Sequence, residues 1–177
     1  DHLTRAAIDY AKAAEVDPGF VRGLLELGNT ALEQRMNVKL DAALLAFRRA
    51  AGTPGGHNPQ VLLVRGRVER LVGDPDSALV AFREYTAATG ADTALGLLEE
   101  SRTLFLLGSL DGEHPYYEAA ATDDSAAVTG IRRDLVPLVG DTALAGLDSV
   151  HGKARAAWLR HFWGERDVAD LRSPGEP

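Results

Sequence analysis

The sequence predicts an all-α chain: a right-handed α-solenoid of about three and a half antiparallel helical hairpins, closed by C-terminal capping helices. Three observations predict it. Apolar residues recur with a helical period among Ala, Leu, Arg and Glu, and no stretch alternates as a half-buried strand does. Aromatic residues at Tyr10, Phe47, Phe82 and Tyr117 are spaced by 37, 35 and 35 residues, each with alanine three or four positions away. Capping and turn residues punctuate the chain at matching places.

Taken in order, the predicted helices lie near 2–15, 19–35, 38–51, 59–72, 75–89, 93–107, 114–121, 125–138, 142–150 and 153–165. Asp17-Pro18 and Asn58-Pro59 pair a capping side chain with a proline, whose fixed φ and missing N–H suit a first helical turn. Gly73-Asp74-Pro75 does the same and supplies the glycine that stops the helix before it. Gly90 with Asp92-Thr93, Gly108 with Pro115, and Gly140 with Asp141 mark the later boundaries. Within the helices, Leu24 and Gly28, Leu62 and Gly66, and Leu97 and Ser101 place a large and a small residue four apart on one face. A small residue lets a neighbouring helix approach closely while the large one fills the space beside it. A period near 34 built this way is the mark of stacked hairpins.

On these residues the chain resembles the tetratricopeptide repeat family over residues 3–122. Ala6, Tyr10, Ala13 and Pro18 resemble a second repeat helix, and Leu24, Leu27, Gly28, Ala43, Phe47 and Ala50 resemble the next repeat, with about three extra residues around Met36 to Leu40. Leu62, Gly66, Gly73, Ala78 and Phe82 resemble a third, and Leu97, Ser101, Gly108, Tyr117 and Ala120 a degenerate fourth. No Trp stands at the first signature position, and Arg65 and Tyr85 replace an expected Leu and a small residue.

From Asp123 the repeat pattern stops. Residues 123–167 read as a helical cap or the start of a further domain, and 168–177 as a tail or linker. Trp158, Leu159, Phe162 and Trp163 give the last helix a wide apolar face, which must bury against the cap, a downstream domain or another chain. Residues 158–167 also resemble the entry to the bacterial GWxTD-type domain, with Val168 where a Pro is typical. That family implies no chemistry for these residues.

Composition narrows the function. The 177 residues carry a net charge of −7 and no cysteine. There is therefore no disulfide, thiolate metal site or thiol nucleophile, and an acidic balance argues against general nucleic-acid binding. No apolar run approaches the roughly 18 residues of a membrane span, so a soluble chain, cytoplasmic or exported, is expected. A first residue of Asp1 reads as a processed or excised segment. The chemical letters do not assemble. His161 and Glu165 are the one i,i+4 ligand pair and lack a third ligand, and Asp148, Ser149 and His151 are sequence neighbours rather than a spatial triad. Gly52 to His57 reads as a flexible hairpin connection and not a phosphate cradle, since no Gly-Lys-Ser/Thr follows. Asp74 and Asp76 lack the further ligands of a calcium loop. No catalytic residue, metal or cofactor is expected.

The tetratricopeptide resemblance implies a register in which the first helix of each hairpin lines the concave face. Inward positions are then Arg22, Leu25 and Asn29, then Gln60, Leu63, Arg67 and Arg70, then Leu98, Arg102 and Phe105. Guanidinium groups between leucines suit an acidic peptide with interspersed apolar side chains, because Arg pairs bidentately with carboxylates. Leu25, Leu63 and Leu98 stand where the chaperone-binding subfamily has its clamp lysines, which disfavours a chaperone C-terminus as ligand. The plainer alternative is that Arg67, Arg70 and Arg102 pair with Glu69, Glu99 and Glu100 on neighbouring helices. The expected function is a non-catalytic protein-interaction scaffold. The alternatives are a docking arm of a larger protein continuing beyond Pro177, or a self-assembly module using Trp158, Phe162 and Trp163.

Overall fold

A computed structural model describes residues 2–171, which are helical almost throughout; among the described residues there is no strand. Of the expected tail, residues 172–177 lie outside the described residues. The helices are α1 (His2–Val16), α2 (Val21–Gln34), α3 (Asn37–Ala50), α4 (Pro59–Val72), α5 (Pro75–Ala87), α6 (Thr93–Leu106), α7 (Glu113–Ala120), α8 (Ser125–Val139), α9 (Ala145–Asp148) and α10 (Gly152–Leu171). Short 3₁₀ turns occupy Pro54–His57, Leu110–Gly112 and Thr142–Leu144.

Local chemistry sets most of these boundaries. The Asn58 side chain accepts from the Gln60 N–H, Asp74 from Asp76 and Ser77, Asp92 from Leu95, and Asp124 from Ala127, so orphan donors of four helices are satisfied. Gly90, Gly108 and Gly140 adopt φ of 80°, 74° and 76°, turning the chain after α5, α6 and α8 in a region that costs other residues strain.

Three local expectations change. Asp17 accepts from the Gly19 N–H instead of capping a helix, and α2 starts at Val21 behind Phe20, which makes no side-chain cap. The expected helix over 142–150 is a 3₁₀ turn and one turn of α9, and α10 runs on to Leu171. The glycine-rich connection is built, not loose: Thr53 accepts from the Gly56 N–H, and a Cβ on Gly55 or Gly56 would strike the backbone of Gly19 or Ala50.

Consecutive helices pack as neighbours from α1 to α7, and alternate helices also touch: α1 with α3, α2 with α4, and α6 with α8. The small-and-aromatic pattern explains the fit in the middle of the chain. Phe47 and Phe82 are buried almost completely. A Cβ on Gly28 would lie 2.6 Å from the Phe47 ring, and one on Gly66 would lie 2.5 Å from Phe82, so each ring takes the volume a side chain would need. Near the C-terminal end the pattern shifts by one residue: the buried ring is Tyr116, while Tyr117 and, at the opposite end, Tyr10 are only half-buried.

The apolar core forms two clusters. One gathers Leu24, Leu27, Phe47 and Val61 from α2, α3 and α4. The other joins Leu98, Tyr116 and Ala119 to Ile131, Leu135, Leu144, Leu147 and Leu159, so the segment after residue 122 shares a core with the helices before it.

Candidate functional site

The inner positions expected from sequence fall into two groups. Arg22 and Asn29 on α2 and Gln60 on α4 are exposed, while Leu25 and Leu63 are half-buried, Leu25 against the first core cluster. Leu98 is a correction: it is 0% exposed, beneath Gly130, and presents nothing to a ligand. It sits on the face of α6 that receives α8, where contact with a cap helix removes it from solvent.

Arg67, Arg70 and Arg102 are brought together, but around one internal carboxylate. Glu99, 1% exposed, accepts from Arg67 at 2.9 Å, from Arg70 at 2.6 Å and from Arg102 at 3.2 Å. Arg102 reaches on to Asp134 and the Gly130 carbonyl of α8. Burial by itself pushes the Glu99 carboxyl up, yet the field of Arg70, Arg67 and Arg102 outweighs it and holds the group below its ordinary range. The expected spread over three glutamates is not what forms: Glu69 pairs with Arg48 at 3.0 Å, and Glu100 with Arg83 at 2.8 Å. Three guanidiniums thus meet two carboxylates, Glu99 and Asp134.

Arg102 and Phe105 also line an open cleft of about 1060 Å³ bordered by α6, α7, α8 and α10 and the turn at Leu110–Gly112. Its aromatic walls are Phe105, Tyr116, Tyr117 and Trp163. The Phe105 and Tyr116 rings meet edge to face at 6.2 Å, as do Tyr116 and Tyr117 at 5.3 Å. Burial pushes the Tyr116 hydroxyl up to about 12, only partly offset by a hydrogen bond from the Trp163 indole, so it is a neutral wall and no base. Arg160 lies over the Tyr117 ring at 4.3 Å. Ser101 lines the same space, and its buried hydroxyl has no hydrogen-bond partner among the described residues.

Sequence reasoning missed Ser101 as a polar group in this cavity, together with Leu110, Tyr116, Leu138 and Arg160. The one available signal was the tyrosine pair at 116 and 117; the other residues converge only through the docking of α8 and α10. The aromatic face of α10 is spent largely within the chain. Leu159 is wholly buried, Trp158 stacks on Phe162 at 5.2 Å and rests against Gly146, and Trp163 meets the Tyr116 side of the cavity. Trp158, Phe162 and Trp163 nonetheless keep part of their surface exposed.

The remaining chemical letters have separate partners. Asp148 pairs with Arg132, the Ser149 hydroxyl donates to the Gly146 carbonyl, and His151 faces Asp123. His161 and Glu165 form an exposed pair 3.2 Å apart. Among the described residues no three His, Cys, Asp or Glu side chains are grouped to hold a metal ion, and no helix is long and apolar enough to cross a membrane. No family model, curated protein or solved structure matches the chain.

Proposed function

We propose that the chain is a right-handed stack of tetratricopeptide-like hairpins that acts as a non-catalytic protein-interaction scaffold, holding a peptide segment of a partner along the face made by α2, α4, α6 and α8. One observation carries this reading. Contacts between α2 and α4 and between α6 and α8, with the Arg67 and Arg70 bonds from α4 to Glu99 of α6, support reading these alternate helices as one surface. In stacked hairpins that surface is the one ligands occupy. Its guanidiniums exceed the carboxylates they meet, and Leu63 and Phe105 lie among them, which suits a segment that is both acidic and apolar.

The test is a selection of random phage-displayed peptides on the whole chain, followed by amide chemical-shift mapping of the enriched ones. Shifts confined to α2, α4, α6, α8 and their margins are expected. Enriched peptides that map to α3 and α5, or a selection that yields no binder, overturn the reading.

A further inference from the structure

We infer that the open cleft bordered by α6, α7, α8 and α10 is a docking site for a basic amphipathic segment of a partner protein. The segment sets apolar side chains against Phe105, Leu110 and Leu138, and Lys or Arg beside Asp111, Glu113 and Asp134. This surface shares α6 and α8 with the face proposed above but takes a ligand of the opposite charge, so the two readings stand or fall separately.

Shape comes first. At about 1060 Å³ the cleft has room for several side chains of a peptide. Its buried lining is aromatic, with Tyr116 packed edge to face against both Phe105 and Tyr117. Its apolar surface continues into solvent: Leu110 is 78% exposed, Leu138 58% and Phe105 44%, and all three line the space. They come from a turn, from α8 and from α6, so only the fold gathers them. Large apolar residues gathered this way and rimmed by charge mark a surface that another molecule covers.

Charge then selects the occupant. Three carboxylates line the cleft, Asp111, Glu113 and Asp134, against two guanidiniums, Arg102 and Arg160. Arg102 is already committed to Glu99 and to the Oδ2 oxygen of Asp134. Arg160 lies on the Tyr117 ring, and His114 faces Glu118. Asp111 and Glu113 are exposed and have no ion-pair partner among the described residues. The lining of a chain with a net charge of −7 is thus itself acidic, which repels an acidic segment and attracts a basic one. The carboxylates also sit beside the apolar anchors. Asp111 follows Leu110 directly, and Asp134 lies one helical turn before Leu138 on α8. A helix with apolar and basic residues three or four apart matches that alternation. The Arg160 contact shows the same preference within the chain, since a ring of this lining already carries a cation.

The experiment selects phage-displayed random peptides on the whole chain and depletes them on Leu110→Ser/Leu138→Ser, two exposed positions whose substitution changes no charge. Circular dichroism and melting first show each variant folded. Surviving peptides should carry Leu, Phe or Trp with Lys or Arg, and should bind the wild type about tenfold or more tightly than the serine variant. They should weaken about tenfold on Asp111→Lys/Glu113→Lys, and regain affinity for that variant when the peptide's basic residues are exchanged for Glu. No surviving peptide, survivors that are acidic or uncharged, or an affinity unmoved by the charge reversal overturns the docking site. A concentration-dependent mass of the wild type that the serine substitutions abolish overturns it too, and assigns the cleft to a second copy. If the depleted selection fails while undepleted peptides still map to α2 and α4, the cleft alone is lost and the scaffold reading stands.

Discussion

Arg70 of α4 and Glu99 of α6 form a hydrogen-bonded ion pair of 2.6 Å across two alternate helices, at the centre of a cluster completed by Arg67 and Arg102. A carboxylate this deeply buried is tolerable only because three guanidiniums surround it, and it in turn ties those three cations to one another.

Removing one side of that arrangement should therefore cost far more than a surface pair would. Glu99→Ala leaves Arg67, Arg70 and Arg102 crowded together without their shared anion, and a loss of about 3 kcal/mol or more is expected. Glu100→Ala, which breaks the exposed pair with Arg83, should cost under about 1 kcal/mol. Urea midpoints of the two variants check the contrast; equal losses would refute it.

The same carboxylate predicts an acid limb. Its folded pKa lies below the ordinary value of 4.5, so its contribution to stability is complete above that value and disappears as pH falls through the lower, folded one. Urea midpoints of the wild type should drop as pH is lowered from about 5 toward 3, and the drop should be shallower in Glu99→Gln. Asp74 and Asp123, also held low, add to the wild-type slope and remain in the variant. An unchanged slope in Glu99→Gln would assign the acid limb to those exposed groups.

Glycines on different helix faces should respond with opposite sign. Gly66→Ala drives a methyl into the Phe82 ring and should cost about 1–3 kcal/mol, less in a Phe82→Leu background that makes room. Gly164→Ala meets nothing within 4 Å in the interior of α10 and should stabilise by about 0.5–1 kcal/mol through helix propensity. Thermal melting of the three variants and the double mutant tests both signs.

Arg155 fastens α10 to the end of α7. Its guanidinium donates to the Ala120 and Val150 carbonyls and to Asp123 at 3.4, 3.1 and 3.1 Å while almost wholly buried. Arg155→Met fills the volume but leaves those acceptors unmet, for an expected loss of about 2 kcal/mol. Hydrogen exchange should quicken in α10 and at the end of α7, with α2 to α4 unaffected. Uniform acceleration across the chain would show that the clasp is not local.

What the sequence determined by itself was local. Asn58, Asp74, Asp92 and Asp124 cap helices because a capping side chain needs only the N–H groups two or three residues onward. That Gly28 and Gly66 admit a neighbouring helix was readable because large and small residues recur at a fixed spacing, whereas which ring fills each gap, Phe47 and Phe82, was decided by packing. Periodicity names the face a residue occupies, but not the rotation and offset between neighbouring helices, and those decide which guanidinium reaches which carboxylate. Arg67 and Arg70 therefore find Glu99, about thirty residues away, and not Glu69 on their own helix. The cavity is likewise a product of tertiary structure, since its walls come from four helices and a turn that meet only when α8 and α10 dock on α6 and α7.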